Sequence, residues 1–147
     1  MQKMMLNPSV ELAWTRLVAA ERVVVEQIEE EVRSHDLPPL AWYDVLLELW
    51  RRPDRRLRQS ELQAAILFAQ YNLSRLVDRL ENAGLVERQT CAEDARANWI
   101  VATEKGLALR ERMWPIYAAA IERHVGSKLT EEEAATLAAL LAKLLGR

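Results

Sequence analysis

The fold turns on residues 60–106, "SELQAAILFAQYNLSRLVDRLENAGLVERQTCAEDARANWIVATEKG". Leu73, Leu76, Val77 and Leu80 recur there at the three- and four-residue steps of one helix face. Gly84 stops the run, so the spacing predicts a helix over 70–83. Ahead of it, Ser60 and Gln63 form a capping-box pattern, which predicts a short helix over 61–67. Two helices about three residues apart make a helix-turn-helix. After Gly84 the texture changes. "LVERQT" and "NWIVAT" are short β-type runs separated by polar "CAEDARA", which reads as a hairpin with a long tip.

Working outward, Asn7-Pro8 is a helix start, with Asn as cap and Pro in the first turn. Val10, Trp14, Leu17, Val18, Val24, Val25, Ile28 and Val32 extend that helix to about Arg33. "LAWYDVLLELW" is a second helix, stopped at Arg52-Pro53. On the other side, Thr103 caps a long helix with Pro115 inside it, where a kink is expected. Gly126 ends this helix. Thr130 and Glu133 form a second capping box, opening a final helix with Leu137, Leu140, Leu141 and Leu144 as its apolar face.

The 147 residues fit one domain, or a compact core with an appended element. No stretch approaches the roughly 20 apolar residues of a bilayer span, and the N-terminus lacks an apolar signal-type core. A cytoplasmic protein with no membrane partner is expected. The single cysteine, Cys91, excludes an internal disulfide. His35 and His124 lie far apart and neither has metal-ligand spacing with Cys91, so neither metal nor cofactor is expected. The formal charge is −2, unevenly spread: residues 51–112 hold 12 Lys/Arg against 9 Asp/Glu, the rest 8 against 13. A mildly basic middle on an acidic scaffold suits a nucleic-acid-reading module.

The same residues carry a more specific likeness. "SRLVDRLENAGLVER", the Asp94-Ala95-Arg96 segment, and "VATEKG" leading into a helix resemble the MarR family of bacterial transcription regulators. The flanking helices and the final "LTEEE" helix match as well, over about residues 10–145. The resemblance implies a mainly α fold. A winged helix-turn-helix (three-helix core, β-hairpin wing) over 39–103 is flanked by dimerisation helices over 8–34 and 104–147. It implies a homodimer that sets two wing-bearing lobes on adjacent grooves of a palindromic DNA operator. Where the family usually has a small turn residue and a polar helix cap, this chain reads Leu67, Phe68 and Ala69.

On the helix over 70–83, the side opposite the leucines presents Gln70, Tyr71, Asn72, Ser74, Arg75 and Arg79. Asn or Gln pairs with adenine and Arg with guanine, while Ser or Tyr holds phosphate. Taken as an isolated helix, the same face is simply solvated. Asp78 or Glu81 competes for Arg79. By the resemblance, Asp94 positions Arg96 for the minor groove at the wing tip; otherwise the two are an exposed surface pair. Arg55, Arg56 and Arg58 are within range of phosphates or merely solvated. The resemblance also places Trp14, Trp42, Tyr43, Trp50, Met113, Trp114 and Tyr117 around an effector cleft for a small aromatic or phenolic ligand, with Arg16 or His35 facing its charge. Core or dimer-interface packing is the plainer role for such aromatics. Cys91, with no cationic neighbour in sequence, reads as incidental.

The function expected is a sequence-specific DNA-binding regulator, a homodimeric repressor released by a small aromatic effector. The rival is a winged-helix module that binds protein and not DNA. An enzyme is not expected, because the chain has no glycine-rich phosphate loop, nucleophile elbow or clustered His/Cys/Asp set.

Overall fold

The computed structural model describes residues 4–68, 72–90 and 98–147. The helices are α1 (Pro8–Ser34), α2 (Leu40–Trp50), α3 (Gln59–Ala65), α4 (Leu73–Asn82), α5 (Glu104–His124) and α6 (Glu131–Leu144). The strands are β1 (Arg56–Arg58), β2 (Val86–Thr90) and β3 (Asn98–Ala102). They form an antiparallel sheet in the order β1-β3-β2, with Leu57 opposite Ile100 and Arg88 opposite Ile100 on the other side. The mainly helical winged helix-turn-helix expected from the sequence is the fold observed.

Two compact units make up the chain: residues 32–117, and residues 1–31 with 118–147. The core of the first is built on α2. Leu40, Ala41, Tyr43, Val45, Leu46 and Leu49 are all buried, so this helix is apolar on most sides and sits centrally. Around it, Leu57, Leu62, Leu76, Val77, Leu80, Val86, Ile100 and Met113 are almost wholly excluded from water. Strand alternation explains the sheet: Leu57 and Ile100 point inward, while Arg56, Arg58 and Trp99 share the other face.

In the second unit, Ile28 and Ala120 are buried, and Glu31 of α1 binds both Arg123 and His124 of α5. The His124 Nε2 to Glu31 Oε2 distance is 3.1 Å. The Thr130–Glu133 capping box is formed: Thr130 Oγ1 accepts the Glu133 N–H at 3.1 Å, and Glu133 Oε1 accepts the Thr130 N–H at 2.9 Å. This cap is local to the first turn of α6. Leu137, Leu140 and Leu144 on it are 44%, 52% and 71% exposed.

Three local expectations are corrected. Helix α3 begins at Gln59, so Ser60 lies inside it; Glu61 Oε1, not Gln63, accepts the backbone N–H of Arg58 at 3.0 Å. Helix α4 begins at Leu73, so the segment after α3 is longer than a three-residue turn. A third strand, β1, joins the hairpin. As the sequence indicates, helix α5 holds Pro115 inside it and runs on to His124.

Candidate nucleic-acid interface

Helix α4 carries the candidate site. Its stripe of Leu73, Leu76, Val77 and Leu80 is buried, leaving Ser74, Arg75, Asp78, Arg79 and Glu81 exposed. Asn72 is its N-cap: the side-chain oxygen accepts the Arg75 N–H at 3.1 Å. The polar cap that the sequence appeared to lack at Ala69 is therefore supplied three residues later, and Asn72 stands at the helix end, not on its face. At the other end Gly84 adopts φ +77°, its N–H reaching Glu81 O while Leu85 N–H reaches Leu80 O. This Schellman closure needs a left-handed residue, hence glycine.

The charges on this helix are sorted by a residue outside it. Arg88 of β2 points inward and pairs with Asp78 at 2.7 Å and Glu81 at 2.9 Å, and donates to Ser74 O at 3.3 Å. Both carboxylates expected to compete for Arg79 are thus engaged elsewhere. The Arg75 and Arg79 side chains have no hydrogen-bond or ion-pair partner among the described residues. An exposed face with two available guanidiniums and neutralised carboxylates is attractive to a polyanion.

The turn before α4 is held from the core. Asp44 of α2, 6% exposed, accepts the backbone N–H groups of Leu67 and Phe68 through Oδ2 at 2.7 and 2.8 Å. Burial raises its pKa above the ordinary 3.8, and those two hydrogen bonds oppose the rise. Phe68 is buried behind this clamp while Leu67 is 73% exposed. A bulky turn is tolerated because one side chain enters the core and the other leaves it.

On the outer sheet face, the guanidinium of Arg56 lies 4.2 Å and that of Arg58 5.0 Å from the Trp99 ring centre. Arg56 also pairs with Asp54 at 2.8 Å, and Arg55 donates to the carbonyls of Trp50 and Arg52. Gln70, Tyr71, Cys91, Asp94 and Arg96 lie outside the described residues.

The aromatic residues separate into groups. Tyr43 meets Tyr117 edge-on at 5.1 Å and Trp114 nearly parallel at 6.1 Å. Arg110 lies 4.1 Å above Trp50, and burial raises the Tyr43 pKa above its ordinary value, opposed by the nearby Arg110 cation. Arg110 Nε is buried without a described partner. Met113 is fully buried. Trp42 instead lines a separate groove, shared with none of these. Trp14 and Arg16 are exposed on α1, in the other unit. Sequence reasoning missed Arg88, Asp44 and Arg110. Their partners are backbone groups or side chains 7 to 67 residues away, at separations that no local pattern marks.

Among the described residues, no group of three or more His, Cys, Asp or Glu is placed to hold a metal, and no helix is long and apolar enough to cross a membrane. The MarR family model matches residues 35–97. The chain is 32% identical to the HTH-type transcriptional regulator MhqR of Bacillus subtilis, over 80% of this chain and 78% of that protein. Its structure is similar to that of AbsC, a MarR family regulator from Streptomyces coelicolor (28% identity, TM-score 0.83, covering 98% and 97% of the two chains). A second MarR family regulator from that organism, solved in complex with DNA, is 26% identical with a TM-score of 0.84, covering 98% and 90%. With the helix-turn-helix, the wing and the sequence likeness in agreement, the chain belongs to the MarR family of DNA-binding transcriptional regulators.

Proposed function

We propose that the protein is a homodimeric repressor that inserts α4 into the DNA major groove and is released by a small aromatic effector. The observation that carries the proposal is the exposed face of α4, where Arg75 and Arg79 are available while Arg88 occupies Asp78 and Glu81. Arg75, one turn from the helix start, is assigned a guanine edge, and Arg79 a phosphate. Ser74 and Asn72 complete the contacts of α4, and by the family resemblance Gln70 and Tyr71 are assigned to the DNA as well, with Arg96 and Asp94 assigned to the minor groove. The exposed leucines of α6 and the exposed Trp14 of α1 support dimerisation, since apolar area of this kind gains from being covered. A two-fold dimer sets its recognition helices against half-sites about 34–36 Å apart. The effector reading rests on the Tyr43–Trp114–Tyr117 cluster and the adjacent Arg110, an aromatic wall with a cation beside it. Ligand there favours a spacing of recognition helices that no longer matches the operator.

The test is fluorescence anisotropy of the protein on the DNA upstream of its own gene, titrated at several salt concentrations, with Arg75→Ala in parallel. The expected result is sequence-preferring binding that weakens steeply with salt. Loss of Arg75 lowers affinity by about 1–3 kcal/mol and relaxes preference at one base pair. Equal, weak binding to all DNA, here and on genomic fragments, overturns the proposal in favour of a protein-binding role.

A further inference from the structure

Three large apolar side chains of the unit over 32–117 are exposed among the described residues: Trp50, Leu67 and Trp114. Trp50 lies under the guanidiniums of Arg55 and Arg110, and Trp114 meets the rings of Tyr43 and Tyr117. Leu67, the most exposed of the three at 73%, stands in the turn of the helix-turn-helix, between the end of α3 and the start of α4. It is driven outward by its neighbours. Ile66 and Phe68 on either side are buried, so the chain alternates in, out and in through the turn. The backbone here has no donor left for a phosphate. The Ile66 N–H is given to Leu62 O at 3.0 Å, and those of Leu67 and Phe68 go to Asp44 Oδ2. Charge is missing as well: no residue between Glu61 and Arg75 is charged, and Ala64 and Ala65 at the end of α3 are exposed.

We propose that Leu67 is a specificity-determining residue that packs on the C5-methyl group of a thymine beside the bases read by α4. The inference rests on the DNA-binding reading above and adds to it a contact that hydrogen bonding cannot supply. A recognition helix enters the major groove by its N-terminal end, which brings the preceding turn to the DNA. Elements that hold phosphate do so with backbone N–H groups, cations or hydroxyls, and this turn offers none of its own from Ile66 to Phe68. A leucine set against a phosphate would strip water from the anion with no bond in return. The thymine methyl is the apolar group that the major groove presents, and an apolar side chain is its match. Asp44 fixes the backbone from which Leu67 projects, so the contact is offered from a rigid base.

The experiment is fluorescence anisotropy of the full chain on two duplexes of the DNA upstream of its own gene. One carries thymine and the other uracil throughout, so they differ only in the C5-methyl groups. Wild type is expected to bind the thymine duplex about fourfold more tightly for each half-site, the worth of one buried methyl group. In Leu67→Ala, at an exposed position that does not challenge folding, that preference falls to near unity. Affinity for the uracil duplex then stays close to wild type. Leu67→Met, which keeps an apolar tip, retains the preference, and Arg75→Ala weakens both duplexes while keeping their ratio. A wild type indifferent to the methyl groups overturns the proposal and leaves DNA binding standing. A thymine preference that survives in Leu67→Ala also overturns it, and assigns the methyl groups to other residues. Absence of sequence-preferring binding to the thymine duplex and to genomic fragments removes the DNA-binding reading and this inference together.

Discussion

Asp44 of α2 and Phe68 are joined by a 2.8 Å hydrogen bond from the Phe68 N–H to the buried carboxylate, which takes the Leu67 N–H as well. One side chain in the core thus fixes the backbone just ahead of the recognition helix. Replacing it by alanine leaves the buried Phe68 N–H and the part-buried Leu67 N–H without their acceptor. Asp44→Ala is expected to cost about 1–3 kcal/mol for each donor that water cannot reach, measured by urea unfolding. Asp44→Asn keeps an acceptor and removes a charge from a buried site.

Wild type and Asp44→Asn differ further in their dependence on pH. Burial raises the Asp44 pKa above 3.8, so between 3.8 and the folded value the folded state holds more protons than the unfolded one. Stability contributed by Asp44 is therefore present below that window and lost as pH rises through it. At neutral pH the ionised carboxylate is held at a cost. Asp44→Asn is expected to match or exceed the wild type in stability at neutral pH and to show a shallower decline as pH rises above 3.8. Thermal unfolding in buffers from pH 4 to 7 checks both. A steeper decline in Asp44→Asn than in wild type would reverse the assignment.

Gly106 is required by a close approach. A Cβ built there would stand 2.1 Å from the Leu85 carbonyl oxygen and 3.0 Å from Leu46 Cδ2. The oxygen is backbone and is already bonded to the Thr103 N–H, so it cannot swing away. Gly106→Ala is expected to destabilise by about 1–3 kcal/mol, as overpacked sites do, despite alanine's better helix propensity. The denaturation midpoint reads it. An unchanged midpoint would mean that the start of α5 moves freely.

What the sequence made legible was whatever periodicity or local chemistry encodes. The stripe of Leu73, Leu76, Val77 and Leu80 identified α4, Gly84 its end, Thr130 with Glu133 the start of α6, and two β-type runs the wing. Strand β1 escaped because "RLR" is too short to show alternation and exists only by pairing with β3. The α4 start was misplaced because Asn72 sits among polar residues that continue the helical pattern backward, and only the cap geometry marks the boundary. Arg75 and Arg79 were legible as exposed cations. That they are available was not, because the residue that occupies Asp78 and Glu81 comes from the next strand.

Arg88 is expected to influence DNA binding without facing DNA. Its side chain is 23% exposed, and its guanidinium ties β2 to α4 through two carboxylates and a carbonyl. In Arg88→Gln, Asp78 and Glu81 lose their counterion on the helix that bears Arg75 and Arg79. Two uncompensated negative charges beside the phosphates should weaken DNA binding about tenfold at low salt, less as salt screens them. Stability should fall by only about 1 kcal/mol, since both carboxylates are well exposed. Anisotropy at two salt concentrations separates this electrostatic effect from a lost direct contact. An affinity equal to wild type at low salt would show that the carboxylates do not reach the DNA field.

The last expectation concerns α6. It carries its own capping box, and Leu137, Leu140 and Leu144 are exposed in the single chain, so the helix is stabilised locally while its apolar face has yet to be covered. If a second copy covers that face, charge placed there opposes association without unfolding the helix. Leu137→Glu with Leu140→Glu is expected to give a monomer in sedimentation velocity, with helical circular dichroism close to wild type. Because a dimer places two recognition helices on one operator, the same variant should bind a full palindrome no better than a half-site. A double variant that still sediments as a dimer would move the interface away from these leucines. A wild-type chain that sediments as a monomer at all concentrations would remove the homodimer from the proposed mechanism.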